Sequence, residues 1–309
     1  MCNQLDQLTL NFSETSLWWL DVTLAIIMFG VALNLRIRDF AHVLKRPKAP
    51  ILGLVSQLFI LPFITYLLVL AIEPCPSLAL GMFLVASCPG GNISNFMSLL
   101  AKGNVALSVS LSALSTVLSV VFTPFTFTFW SGLYGPTREL MSTIAIDPVA
   151  IFLKILLILA LPLAIGMWTT HRFPKFAERI GNPMRKMSII IFGAYIVIAV
   201  YANFDAFLHY AKYVVLIVAG HNFLALLSGY TVGKIGQLDE PSCRTLSLET
   251  GIQNSGVALV LIFSPLFDGM GGMALIAAMW GLWHMVSGLT ISGIWSQNFL
   301  MPKTAINDQ

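Results

Sequence analysis

Apolar runs of about 20 residues, the length an α-helix needs to cross roughly 30 Å of hydrocarbon, recur from one end of the chain to the other with short polar joints between them. The pattern predicts spans at 16–36, 50–72, 77–101, 104–133, 146–170, 188–207, 212–233, 244–265 and 270–297. The expected architecture is an all-α polytopic membrane protein of about nine transmembrane helices, with nothing left over for a soluble domain. Asp6 and Glu14 precede the first run, where a signal peptide would carry positive charge, so that run reads as a retained span.

Two runs carry helix-breaking, polar interiors. In the third, Cys88-Pro89-Gly90-Gly91-Asn92-Ile93-Ser94-Asn95 places proline, paired glycines and three polar side chains near the middle of the membrane. In the eighth, Glu249-Thr250-Gly251-Ile252-Gln253-Asn254-Ser255-Gly256 does the same. Irregular backbone at that depth must be buried in protein or line an aqueous cavity. The breaks lie five spans apart, an odd number, so their helices run in opposite directions. That is the pattern of inverted repeats with two discontinuous crossing helices and a binding site at the midplane. Spans 1–4 would form one repeat and spans 5–9 the other. Close packing alone explains glycine in a single membrane helix; two matched breaks rich in Asn, Gln and Ser point to a site.

Composition agrees. The 309 residues are 57% hydrophobic and 10% charged, where soluble domains carry about a quarter charged residues. The net charge of +3 implies no polyanionic partner, because the basic residues fall in alternate joints: Arg36, Arg38, Lys45, Arg46 and Lys48, then Lys102, then Arg172, Lys175, Arg179, Arg185 and Lys186, then Lys234, Arg244 and Lys303. By the positive-inside rule the N-terminus lies outside and the C-terminus in the cytoplasm of a plasma (inner) membrane. Nucleic acid is excluded as a partner, and no obligate protein partner is implied. Cys2, Cys75, Cys88 and Cys243 lack metal-site spacing, and neither a zinc site nor a disulfide is expected, although the topology puts Cys2 and Cys75 on the same outer face.

Of fourteen acidic residues, Glu249 alone lies deep in a predicted span, far from any joint. An ionised carboxylate there costs a few kcal/mol unless paired. Lys154, the one basic residue well inside a span, can snorkel to the outer surface. A mobile cation is the better partner, since Gln253, Asn254, Ser255 and released carbonyls supply the oxygen ligands that suit a hard ion such as Na⁺. In the fourth span Ser108, Ser112, Ser115 and Ser119 share a helical face with Thr116 beside them. Such stripes commonly glue helices together, but Ser108 and Ser112 follow the Ser94-Asn95 break and are candidate ion ligands. Gln57, buried in the second span, needs a partner and is a candidate ligand for a second ion. His221 and His284 lie in late spans, where histidines mostly serve packing. Asn92, Asn254, Ser255 and His284 are the candidates for substrate contact.

Cys-Pro-Gly-Gly followed by Ser94-Asn95, the stretch Gly103-Asn104-Val105-Ala106-Leu107-Ser108, and Glu249-Thr250-Gly251-Ile252-Gln253-Asn254 resemble the distinctive motifs of the bile acid:sodium symporter family, and the resemblance covers nearly the whole chain. It implies one Na⁺ held by Ser94, Asn95, Ser108, Ser112 and Glu249. It implies a second at Gln57, Glu249, Thr250, Ile252 and Gln253, with Thr250 and Ile252 contributing backbone oxygens. It further implies a panel domain from residues 1–49 and 146–211 (spans 1, 5 and 6), a core domain from 50–145 and 212–298, and a cytoplasmic tail at 299–309, with substrate in the crevice between panel and core. The chain departs from bacterial relatives in lacking one of their ten helices, as animal members do, and in carrying Met285 where asparagine is common.

The expected function is secondary active transport: symport of an organic anion, bile-acid-like or a small carboxylate, with two Na⁺ by alternating access and no organic cofactor. A proton-coupled carrier or exporter of the same fold is the nearest rival. An enzyme is not expected, for the chain has no Gly-x-Ser-x-Gly nucleophile elbow and no His-Glu-x-x-His motif.

Overall fold

The computed structural model describes residues 2–6, 47–91, 93–143, 148–181, 204–264, 267 and 270–297, with a few positions between 26 and 33 and between 183 and 187. The predicted spans 16–36 and 188–207 and the tail 299–309 fall almost wholly outside these residues. The described residues are helical, with one isolated bridge and no strand. Helix α1 is Cys2–Asp6 and α2 runs Lys48–Ile72; then come α3 Pro76–Ser87, α4 Ile93–Leu100, α5 Val105–Leu133, α6 Gly135–Thr143 and α7 Pro148–Arg172. The chain continues through α8 Phe204–Ile235, α9 Glu240–Gly251, α10 Ser255–Phe263 and α11 Gly271–Gln297. Lys48–Ile72, Val105–Leu133, Ile155–Arg172, Lys212–Ile235 and Gly271–Ser296 are long and apolar enough to cross a membrane.

Both expected breaks are present. The third predicted span divides into α3 and α4, and the eighth into α9 and α10. The joint expected at 208–211 is instead helical, because α8 starts at Phe204 and residues 204–219 contain neither glycine nor proline. The segment 134–143, read as a polar joint, contains the amphipathic α6.

The two breaks satisfy each other. Gly90 and Gln253 form an antiparallel bridge. Gly91 N–H donates to the Ile252 carbonyl at 2.8 Å, and Asn254 N–H donates to the Pro89 carbonyl at 2.8 Å. Backbone groups freed from the helices, which have no water to bond in hydrocarbon, thus find partners across the crossing point. A Cβ on Gly91 would stand 3.3 Å from the Gln253 carbonyl oxygen, so a side chain would crowd the point where the two segments meet.

Helix α2 has one widened π turn at Ser56–Ile60. Pro62 explains it: a proline lacks the N–H that would bond the carbonyl four residues earlier, and its ring crowds that carbonyl. Widening the turn around Leu58 relieves both problems. The same turn carries Gln57, as π turns often carry functional residues.

Packing and lipid exposure divide cleanly. A buried cluster including Phe83, Phe127, Phe263 and Trp280 joins α3, α5, α10 and α11. Large apolar residues remain exposed in rows four apart, Phe59 and Phe63 on α2, Val121, Phe125 and Phe129 on α5, and Leu153, Leu157 and Leu161 on α7. Such rows would aggregate in water and suit a lipid boundary.

The N-terminus is tied to this body. Cys2 and Cys75 form a disulfide, Cα atoms 5.1 Å apart, which corrects the expectation of none. Its cause is local: Leu5 is fully buried beside Gly272, and the Asp6 carboxylate accepts from Ser77 N–H at 2.9 Å. An acidic cap from another element therefore stabilises the α3 N-terminus and brings Cys2 to Cys75. Cys88 and Cys243 are free and buried.

Helices α8 and α9 pack closely through small residues. A Cβ on Gly229 would collide with the Leu246 carbonyl and stand 2.8 Å from Thr250 Oγ1, and one on Gly233 would lie 3.0 Å from Cys243 Cα. A Cβ on Gly132 would meet nothing within 4 Å. Gly229→Val is therefore expected to destabilise the protein by about 1–3 kcal/mol through overpacking, and Gly132→Val to leave its melting in detergent near that of the parent; equal melting of the two would reject this close packing.

Candidate cation site

Helix α9 ends at the crossing point and carries Glu249 two residues before the break, fully buried. Three serines surround its Oε1: Ser94 Oγ from the first turn of α4 at 2.5 Å, Ser112 Oγ from α5 at 3.3 Å, and Ser108 Oγ, closer still. Ser112 Oγ also lies 3.1 Å from Oε2. Asn95 Oδ1 sits 2.8 Å from Ser108 Oγ and 3.3 Å from Ser112 Oγ. The five residues Ser94, Asn95, Ser108, Ser112 and Glu249 therefore converge, and α4, α5 and α9 position them.

This cluster is rich in oxygen and poor in hydrogen. Each serine has one proton to donate. Three hydroxyl protons cannot serve both carboxylate oxygens, the Asn95 carbonyl oxygen and the contact of Ser94 Oγ with Ser112 Oγ at 3.4 Å together. Lone pairs are left facing one another, the donor set that a hard cation takes. Among the described residues Glu249 has no ion pair. Arg244, nearest on its own helix, is committed elsewhere: it reaches Glu240 at 3.3 Å and donates to the Ala101 and Trp295 carbonyls. Lys234, at 2.6 Å from Glu240, is the chief influence holding that carboxyl below its usual range. No group of three or more His, Cys, Asp or Glu suited to a transition metal occurs among the described residues.

The π turn of α2 brings Gln57 to the opposite side of the carboxylate. Gln57 Nε2 donates to the Glu249 carbonyl at 2.9 Å and lies 3.4 Å from Oε2. Its Oε1 is buried without a partner, and so is Gln253 Oε1, whose amide Nε2 donates to the Thr250 carbonyl at 2.8 Å. Buried orphaned amide oxygens are expensive, and one of the two belongs to an amide whose nitrogen reaches the carboxylate, the kind of place that suits a cation. Gly90 makes room, for a Cβ there would lie 3.2 Å from both Gln57 Nε2 and Glu249 Oε2. The Ile252 carbonyl accepts from Gly91 N–H and keeps a second lone pair.

Several site-shaping residues escaped the sequence reading. Ser56 Oγ meets Thr250 Oγ1 at 2.8 Å, fixing the threonine after Glu249. Asn222 Nδ2 donates to the Gly251 carbonyl at 2.7 Å and its Oδ1 accepts from Ser287 Oγ, so it closes the last open carbonyl of α9. The deep amide of Asn222 was the available signal. Ser115, Thr116 and Ser119 donate to carbonyls of their own helix, so only the first two serines of the stripe face the carboxylate.

The candidate substrate residues do not gather into one cluster. Asn254 caps α10 through Val257 N–H. Ser255 is buried against α11, where a Cβ on Gly281 would stand 2.9 Å from its Oγ. His284 lies one turn further along α11, buried, with Nδ1 lacking a partner. Asn92 lies outside the described residues. His221 Nε2 bonds Thr65 Oγ1 at 2.7 Å and its ring rests on Trp280. Met285 packs against an apolar cluster that includes Met97, Leu248 and Ile252.

Comparison with known proteins agrees with this geometry. Residues 21–210 match the family model described as the Sodium Bile acid symporter family. The chain is 31% identical over 296 residues to the "Uncharacterized sodium-dependent transporter YocS" of Bacillus subtilis (strain 168), covering 93% of this chain and 88% of that protein. It is 30% identical over 284 residues to the "Probable sodium/metabolite cotransporter BASS1, chloroplastic" of Arabidopsis thaliana, covering 91% and 67%. With "Sodium/bile acid cotransporter 5" of Rattus norvegicus it shares 29% over 243 residues, 76% of this chain and 52% of that one. These relatives are named as transporters, not enzymes, and the chain is a multi-pass membrane protein of the same kind. Motifs, helical breaks and extended similarity agree: the chain belongs to the sodium bile acid symporter family.

Proposed function

We propose that the protein is a secondary active transporter that imports an organic anion with Na⁺, and that Glu249 is the charge both coupling ions share. The observation that carries this reading is the buried Glu249 carboxylate facing more oxygen lone pairs than hydroxyl protons. One Na⁺ takes Ser94, Asn95, Ser108, Ser112 and Glu249. The other takes Gln57, Glu249, Gln253 and the backbone oxygens of Thr250 and Ile252, which would employ the orphaned Gln57 and Gln253 oxygens.

Nine helices in two inverted repeats divide into a panel (1–49 and 146–211) and a core (50–145 and 212–298). Substrate occupies the crevice between them, and alternating access is movement of one against the other. Asn92, Asn254, Ser255 and His284 contact the substrate from the core side. The Cys2–Cys75 bridge fits an N-terminus facing an oxidising exterior, which agrees with the distribution of basic residues and with a plasma-membrane location. The names of the relatives, a sodium/metabolite cotransporter and a sodium/bile acid cotransporter, support a metabolite or a bile acid as cargo.

Charge counting sets the stoichiometry. Two Na⁺ with one carboxylate leave the loaded site at +1, which a monoanion neutralises. Each cycle then carries one net positive charge inward, worth about 2.3 kcal/mol per 100 mV. Uptake into proteoliposomes is expected to rise with inside-negative voltage; voltage-independent uptake would contradict two Na⁺ per monoanion.

A thermal-shift screen of bile acids and small carboxylates, each in NaCl and in KCl, tests the coupling directly, since coupled ligands stabilise one another. Glu249→Gln is expected to weaken Na⁺ stabilisation about a hundredfold, the ~3 kcal/mol of a charge-assisted contact. Gln57→Ala is expected to reduce the cooperativity of Na⁺ binding and leave one site intact. Normal Na⁺ dependence in Glu249→Gln would reject the assignment, and uptake that follows pH while ignoring Na⁺ would move the protein to a proton-coupled carrier or exporter.

A further inference from the structure

Polar side chains continue from Glu249 along two facing helices to a cavity at the face where α2, α5 and α9 begin. On α9, Ser242, Thr245 and Glu249 recur at intervals of three and four and share one side. On α5 and its cap, Asn104, Ser108 and Ser112 recur at intervals of four. The two rows touch. Asn104 N–H donates to Thr245 Oγ1 at 2.8 Å, Thr245 Oγ1 lies 3.3 Å from the Asn104 carbonyl, and Asn104 Nδ2 donates to Ser242 Oγ at 3.3 Å. Ser108 N–H bonds the Asn104 carbonyl at 3.0 Å, and Ser108 Oγ reaches Glu249.

Beyond Asn104 and Ser242 opens a cavity of about 540 Å³, lined also by Lys48 and Asp239. At the roughly 30 Å³ a water occupies in the liquid, it has room for a hydrated ion. Ser108, Thr245 and Ser242 are all buried, and polar groups lead from the carboxylate through Ser108 and Asn104 to Thr245 and to Ser242 at the cavity. Leu107, Leu111 and Leu246 on the same two helices form an apolar cluster that also supplies Leu107, Ala49 and Leu238 to the cavity wall, so the polar groups are confined to one side of it. A mere pin between two helix ends would need one bond, not a polar column leading inward to a charge. Gly103 keeps the column close, for a Cβ there would stand 2.6 Å from Thr245 Oγ1.

We propose that this column is the exit route by which the cation beside Glu249 leaves toward the face bearing Lys48 and Asp239, with Asn104 as its latch. The proposal rests on the sodium-coupled reading above. A stripped cation moving along it exchanges the oxygens of Glu249 and Ser108 for those of Thr245, Asn104 and Ser242, and rehydrates in the cavity. In the arrangement described here the bonds between Asn104 and Pro241, Ser242 and Thr245 of α9 hold the column shut. By the distribution of basic residues this face is cytoplasmic, so the column serves release and not loading.

The test uses the full-length chain carrying Cys88→Ser, Cys243→Ala and Thr245→Cys, in right-side-out and inside-out vesicles, with a membrane-impermeant methanethiosulfonate in NaCl or KCl. Labelling is expected from the cytoplasmic side alone, and to be at least about fivefold slower in Na⁺ than in K⁺, the scale of ordinary coupling between sites. Labelling absent from both sides, or identical in the two salts, overturns the column. Asn104→Ala, which removes the latch amide and leaves the backbone bonds to Pro241 and Thr245, gives a second reading: release of bound ²²Na⁺ to the cytoplasmic side is expected to quicken, and an unchanged rate overturns the latch. Loss of Na⁺ stabilisation in the parent chain would sink the underlying coupling instead, so the two failures are distinguishable.

Discussion

The arrangement depends on how backbone freed in the middle of a membrane is satisfied. Each broken helix exposes N–H and C=O groups where no water can reach them, a cost of several kcal/mol per group. Neither break is stable alone. Paired antiparallel through Gly90 and Gln253, with Gly91 bonding Ile252 and Asn254 bonding Pro89, they become a short two-stranded crossing inside a helical protein. That pairing fixes where α4 and α9 meet, and so it fixes the one place where Ser94, Ser108 and Ser112 can surround Glu249. Glycine at 90 and 91 eases the pairing, since side chains there would crowd Gln57, Glu249 or Gln253.

The electrostatics follow from the crossing. A carboxylate fully removed from water needs a positive partner or several donors. Here the donors are fewer than the lone pairs they face, and the nearby arginine is held by Glu240 and two carbonyls. The widened turn of α2 adds an amide whose nitrogen faces the carboxylate while its oxygen is left over. The site is incomplete without added positive charge. Such incompleteness suits a reversible ion better than a permanent salt bridge, because the protein keeps the oxygens in place and leaves the charge to come and go.

Much of this was legible in the amino-acid sequence, for identifiable reasons. Glycine and proline in two apolar runs announced the breaks at 88–95 and 249–256, and both are present. The isolation of Glu249 in an apolar span singled it out, and the four-residue spacing of Ser108 and Ser112 put them on one face. What sequence could not carry was pairing between distant segments. The four-residue spacing holds equally for Ser115 and Ser119, and only the tertiary arrangement turns those hydroxyls back onto their own helix. Nothing in the sequence pairs Asn222 with the end of α9, whose Gly251 carbonyl it reaches only in the folded chain. The Cys2–Cys75 bridge was discounted on spacing, because its geometry is set by Leu5 and Asp6 docking on α3 and α11. The α8 start was missed because polar residues at 205–212 resemble a joint, although nothing among them stops a helix.

In the proposed cycle a single helix links holding the ion to releasing it. The last turn of α9 presents Glu249 to α4 and α5, and its first turns present Ser242 and Thr245 to Asn104. A cation between Glu249 and the serines attracts oxygens from three helices and draws them together. Once it leaves, the serine hydroxyls can still donate to the carboxylate, but the added attraction that an ion supplies to all three helices is gone. Occupancy and helix arrangement are then two sides of one equilibrium, and whatever else favours the tightened arrangement must raise the affinity for the ion by the same factor. An anionic substrate bound beside the crossing would do so through its charge alone, and on the proposed function a carboxylate with too few donors would couple two solutes that need not touch.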